Sequence, residues 1–364
     1  MSIQIPHNDE LNTNALSRVF KDTVATYKYY WFISLLNIFN ETGKTQIPIW
    51  DMVISMISNA WYPIHYFRLS FGKSDSMYSA IREIREITDL PIDADVDQIQ
   101  STLKKELANH NKELKKTLRV FTLNVPYRFL MPWIRTSDNK EMVERSLYFE
   151  NGALYSLEKD NNNELIININ PVWEKYLTKN YEILLDYTYW NLTNFLQARN
   201  PNVPNIPNKL VRPKTRKSLS RQHRFWNSII ELSGPVKCIY TGKPLYKDSY
   251  DLDHFIPWSF VTHDLSWNLL PSESSINSSK SDKIPELDLY LPKLAATHQN
   301  ALKTFTSSDR RDKASLLEDY LSLGYSIPDL LSMEPATFYD VFYHTISPIA
   351  QIALNMGFEL WKNE

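Results

Sequence analysis

Residues 251–285 read DLDHFIPWSFVTHDLSWNLLPSESSINSSKSDKIP. The first residues of this stretch, with Ser249 and Tyr250 before them, read as a short strand-like piece, and Pro257 stops that strand. A loop runs through Trp258 and Phe260 to Asn268. PSESSINSSKS then reads as a short helix, with Ser272 a candidate cap for its first backbone donors. Asn277 and Lys280 are three apart and share a face of that helix. Upstream, CIYTGKPL at 238–245 carries turn residues at Gly242 and Pro244, between the strand-like VKCIY and SYDLDHF. Asp253 and His254 therefore end a hairpin strand. The order strand, loop, helix can bring their side chains to one point with Asn268, Asn277 and Lys280.

That set of groups suits phosphodiester hydrolysis. A neutral histidine can take a proton from water near neutral pH. A carboxylate oxygen and an amide carbonyl are hard donors, suited to Mg²⁺ or Mn²⁺. A bound ion of that kind stabilises charge on a phosphate, and a lysine can clamp one.

The segment resembles the HNH (ββα-metal) endonucleases. It is most similar to the zinc-free subgroup that includes the HNH domain of RNA-guided CRISPR effectors and stand-alone bacterial defence or restriction nucleases. Asp253-His254, Pro257, Ser259-Phe260, Asn268, Asn277, Lys280-Ser281-Asp282 and Pro285 carry the resemblance. It spans about residues 237–285, less than a fifth of the chain. It implies that His254 is the general base and that Asp253 and Asn277 are metal ligands. It implies that Asn268 bonds across the loop and holds the histidine, and that Lys280 is a supporting phosphate contact. One Mg²⁺-type ion and 5′-phosphate ends follow from the same resemblance. Many HNH proteins brace the fold with zinc on paired CxxC motifs. Cys238 is the only cysteine of this chain, so no structural zinc is expected, and no internal disulfide can form.

Composition bounds the rest. The chain has 364 residues, of which 43% are apolar, enough for two domains with real cores. The net charge is -2, so contact with a polyanion must come from local charge. Only 7 glycines occur, and neither GxxxxGK[ST] nor GxGxxG is present. No apolar run is long enough for a membrane span, and the polar N-terminus lacks the features of a secretory signal. A cytoplasmic protein is expected.

The expected fold class is α+β, mostly helical. A helical domain at 1–200 with a β-hairpin near 145–170 would bind a partner, dimerise, recognise DNA or sense a signal. A Pro-rich basic linker follows at 201–217, then an HNH module at 218–300 and C-terminal helices at 301–364. Helical periodicity predicts long helices at 15–40, 48–61, 95–118 and 171–199, with Pro63 ending the second. Between Lys209 and Arg224 the chain carries Lys209, Arg212, Lys214, Arg216, Lys217, Arg221 and Arg224, with no acid. Such a run tracks phosphates, so it is the expected DNA contact, with double-stranded DNA the first partner. Two other possibilities stay open: a nucleic-acid-binding or scaffold protein with an inactive module, and an RNA-directed nuclease.

Overall fold

The computed structural model describes residues 4–212, 218–308 and 313–362. The chain divides into two compact units. One comprises 1–201 with 206–212, the other 202–205 with 213–364.

The first unit is helical around an aromatic core. Trp31, Trp61, Trp133 and Trp173 are fully buried there. Two helices, Tyr27–Thr42 and Ile49–His65, pack on one another and supply much of this core. The helix expected over 15–40 is interrupted. A single turn, Thr13–Leu16, is followed by irregular backbone in which Asp22 takes φ 57, a left-handed conformation that no helix interior accommodates. Asp75 then ties the start of the Tyr27–Thr42 helix to that of a further helix, Ser76–Thr88. One oxygen accepts from Thr26 N and Thr26 Oγ1, both at 2.7 Å, and the other accepts from Met77 N at 3.1 Å. The predicted 95–118 helix is also two, Val96–Ala108 and Lys112–Leu118, divided at His110 with φ 56. Asn111 caps the second through Leu114 N. Pro63 does not end its helix, which continues to His65, because a proline near a C-terminus removes only one late hydrogen bond.

The β-structure near 145–170 is a hairpin of Tyr155–Lys159 and Leu165–Ile169, turned through the Asp160–Asn163 segment. A third strand, Gln46–Pro48, pairs on its other edge. The 146–152 stretch, expected to open the hairpin, instead completes the helix Asn139–Ser146 and a following tight turn. The 171–199 helix breaks at Asn180 into Pro171–Lys179 and Tyr181–Gln197.

The second unit carries the segment that opened the sequence analysis. The helix Ser220–Ser233 precedes a two-residue ladder, Val236–Lys237 with Pro244–Leu245, closed by Gly242 at φ 77. The strand Asp251–His254 pairs antiparallel with Leu269–Ser272, so His254 faces Leu269 and Asp251 faces Ser272. Its partner is therefore the strand after the loop, not VKCIY before it. The helix Ser274–Lys280 follows directly. Ser272 is not its cap: it is the last strand residue, and Glu273 takes the cap position. The helices Leu287–Thr306 and Pro335–Asn355 pack together in this same unit. Among the described residues no helix is long and apolar enough to cross a membrane.

Candidate active site

Strand pairing places Asp253 and His254 at the end of a ladder, and the alternation of the strand sends their side chains to opposite faces. Asp253 is 2% exposed. A buried carboxylate needs partners for its charge, and it has two. Lys280 Nζ donates to Oδ1 at 2.9 Å, and the Tyr240 hydroxyl donates to Oδ2 at 2.6 Å. Burial, with Asp253 beside it, pushes the Tyr240 phenol far above its ordinary range, so it stays a donor. Tyr240 itself meets the rings of Tyr290 and Trp361 edge-on. Trp361 lies on the strand Leu360–Trp361, which pairs parallel with Ile284–Pro285. Residues near the end of the chain thus brace the carboxylate from behind.

Lys280 is fully buried and also donates to the His254 carbonyl at 2.7 Å. This corrects its expected place. As positioned, it is a counter-ion that joins the short helix to the strand, not an exposed clamp for a phosphate.

His254 is held differently. Its Nε2 lies 2.9 Å from Oδ1 of Asp264, with 12% and 23% of the two side chains exposed. Nδ1 makes no hydrogen bond among the described residues. Asn268 is fully buried and spans the loop, its Oδ1 accepting from Ile256 N and its Nδ2 donating to Ile256 O, both at 2.8 Å. Phe255 N donates to the Asn268 carbonyl at 2.8 Å. Asn268 is a brace that fixes the chain just beyond the histidine. Asn268→Ala leaves two buried Ile256 groups without partners, at a cost of roughly 1–3 kcal/mol each. We expect a clearly lowered urea midpoint; a midpoint matching the unmodified protein would mean that Asn268 does not brace the loop.

Asn277 sits half-exposed on the Ser274–Lys280 helix, with no side-chain hydrogen bond among the described residues. Asp253 and Asn277 offer a carboxylate oxygen and an amide oxygen. Among the described residues no group of three His, Cys, Asp or Glu forms a metal cage. Hard cations of the Mg²⁺ type do not need one. They bind through one or two carboxylate-type oxygens and keep water and phosphate in the remaining positions. Each Asp253 oxygen retains acceptor capacity beyond the hydrogen bond it already takes. By donor chemistry these oxygens are of the kind such an ion takes, although both Asp253 oxygens are already engaged by Lys280 and Tyr240.

A model of the HNH endonuclease family matches residues 238–286. Over these residues the chain is similar to an HNH endonuclease domain. The comparisons with curated proteins and with solved structures found no match. HNH nucleases act on nucleic acid and generally use divalent metals, so the HNH domain marks the chain as a nuclease at that general level.

The basic residues expected to meet DNA do not share one environment. Lys209 is fully buried in the first unit with its ammonium 5.7 Å from the Phe67 ring centre, and burial lowers its pKa to about 7. A buried lysine cannot track a phosphate backbone, so Lys209 leaves the set. Arg212 is exposed, with its guanidinium over the Tyr62 ring at 5.6 Å. Arg221 pairs with Asp319 at 3.1 Å, and Arg224 is exposed. Lys214, Arg216 and Lys217 lie outside the described residues.

Sequence pattern singles out neither Tyr240 nor Asp264, and both belong to the HNH domain. Tyr240 sits in a hairpin turn thirteen positions before Asp253, and nothing in the sequence marks that approach. Asp264 follows His263 in the loop. An acid ten residues after a strand-end histidine is a usable signal, but only with the loop path known.

Proposed function

We propose that this protein is a metal-dependent HNH endonuclease that hydrolyses DNA, and that it serves as the nuclease effector of a bacterial anti-phage or restriction system. One observation carries the chemistry. Within the family-matched segment, a histidine with one ring nitrogen engaged by a carboxylate stands next to a buried aspartate at a strand end.

His254 takes a proton from water as that water's oxygen attacks phosphorus. The bond to the 3′ oxygen breaks, the leaving oxygen takes a proton from solvent, and a 5′-phosphate and a 3′-hydroxyl remain. Asp253 and Asn277 are the residues that would hold a Mg²⁺ or Mn²⁺ ion, which when bound supplies electrostatic stabilisation to the phosphate and the leaving oxygen. Lys280 keeps Asp253 neutralised in the dry interior and fixes the His254 backbone. Asn268 keeps the loop from moving the base.

The test is cleavage of supercoiled plasmid by purified protein with Mg²⁺, Mn²⁺ or EDTA, beside single-stranded DNA and RNA of matched length. Metal-dependent nicking or linearisation is expected. Cleavage of RNA alone would transfer the same chemistry to the other polymer, and cleavage that persists in EDTA would sink the metal role.

DNA affinity would rest on the exposed Arg212 and Arg224 and on Lys214, Arg216 and Lys217, which lie between them in sequence. Neutralising Arg212, Lys214, Arg216 and Lys217 together should lower affinity and flatten its dependence on salt. On duplex DNA the slope falls by about 0.9 for each phosphate that the protein no longer neutralises. An unchanged slope would make the segment a plain connector. For the first unit, we propose partner binding or dimerisation that restrains the nuclease.

A further inference from the structure

We propose that Asp264 is a positioning residue for the His254 base, a role that rests on the nuclease chemistry proposed above. Its carboxylate takes the Nε2 proton as a hydrogen bond, so that Nδ1 is the nitrogen left to accept a proton from water.

Three observations carry this. The first is the contact, 2.9 Å between His254 Nε2 and Asp264 Oδ1, with both side chains mostly buried. A carboxylate is only an acceptor at neutral pH, so the neutral imidazole must present N–H at Nε2. Nδ1 then carries the lone pair. The second is that the loop holding Asp264 is anchored at Asp264 itself and again two residues on. Gln222 Nε2, on the Ser220–Ser233 helix, donates to the Asp264 carbonyl at 2.7 Å. Two residues on, Ser266 N and Oγ donate to Asp319 Oδ2 at 3.0 and 2.7 Å, and Arg221 holds the other oxygen of Asp319. The carboxylate is therefore delivered by anchored backbone rather than by a free loop tip. The third is that Asp264 makes no other side-chain bond among the described residues. Its loop anchors run through backbone atoms and Ser266, which leaves the carboxylate to the histidine.

Its part in the reaction follows. When His254 takes the proton of water at Nδ1, the ring becomes an imidazolium with both nitrogens protonated. The Asp264 carboxylate sits against the new positive charge in a partly buried setting, where the attraction is stronger than in water. The aspartate accepts no proton itself. It lowers the barrier by keeping one tautomer and one ring orientation ready before the water is deprotonated.

The experiment compares Asp264→Asn, Asp264→Ala and His254→Ala with the unmodified protein in plasmid nicking at saturating Mg²⁺. The protein is also labelled with ¹⁵N-histidine to read the His254 tautomer directly. Asp264→Asn keeps the volume and removes the charge. The expected result is a kcat lowered by about 10–10²-fold with KM within about twofold, and a His254 spectrum shifted away from the Nε2–H form. Asp264→Ala should lose at least as much. A wild-type kcat in both Asp264 variants, with cleavage lost in His254→Ala, overturns the positioning role and leaves the nuclease chemistry standing. A changed Mg²⁺ midpoint with an unchanged tautomer also overturns it, because Asp264 would then belong to the metal site. A wild-type rate in His254→Ala brings down both. The spectrum reads the tautomer even if no cleavage substrate is found, and an unmodified protein lacking the Nε2–H form is by itself enough to reject the role.

Discussion

His254→Ala is expected to reduce plasmid cleavage by about 10²–10⁴-fold while the protein stays folded. The large loss comes from removing the side chain proposed to take the proton from water. The fold should survive for a structural reason. The strand ladder and the Lys280 bond use the His254 backbone, which alanine keeps. The side chain contributes one hydrogen bond, to Asp264, worth about 1 kcal/mol in stability. Cleavage rate and urea midpoint measured on the same preparation separate the two effects. Full cleavage by the variant would remove His254 as the base, whatever the family match. A collapsed midpoint would mean that the histidine is a core residue first.

The second large effect is on stability. Lys280→Met should cost about 3–5 kcal/mol, because it leaves the Asp253 carboxylate buried without its cation. The pair is 0% and 2% exposed, so water cannot take the place of the missing ammonium. Methionine fills much of the lysine's volume, which keeps cavity formation from dominating the result. Asp253→Asn added to Lys280→Met should recover most of the loss, since a neutral amide no longer needs a counter-charge and Tyr240 can still donate to it. Chemical denaturation of Lys280→Met, Asp253→Asn and the double variant, beside the unmodified protein, gives the coupling directly. A single-variant cost below about 1 kcal/mol would mean that the pair is solvated.

The two predictions divide the domain into chemistry and support. His254 keeps an edge of its ring in solvent, and its side chain makes one hydrogen bond among the described residues. Asp253, Lys280, Tyr240 and Asn268 are buried, and each is tied to the others or to loop backbone. The base and metal oxygen proposed above would need such support, because small misplacement erodes the rate. In this domain the support comes from four separate places in the sequence: a hairpin turn, a strand, a loop asparagine and the last turn of a helix.

How much of this is legible without coordinates depends on the range of each interaction. The order of Asp253-His254, Pro257, Asn268, Asn277 and Lys280 marks the HNH module, because strand, loop and helix are local structures with local signals. The mostly helical character of the first 200 residues is legible for the same reason. Breaks within those helices are not. Asp22 and His110 adopt positive φ under tertiary constraint, and neither residue type announces it as a glycine would. The strand partner of Asp251–His254 is not legible either, since Val236–Lys237 comes first in sequence while the strand it pairs with, Leu269–Ser272, lies beyond the loop and is buried throughout.

The sequence by itself determined which groups are present to do chemistry and on which kinds of local element they ride. Only the tertiary structure decided what state those groups are in. By residue type Lys280 and Lys209 look like exposed cations, yet both are buried. One is neutralised by a carboxylate 27 positions away, and the other is pushed down by the loss of solvent. Asp264 looks like a loop acid and becomes the partner of His254. Burial and long-range pairing set charge, tautomer and access, and both depend on which distant segments meet. Local sequence pattern does not encode that meeting.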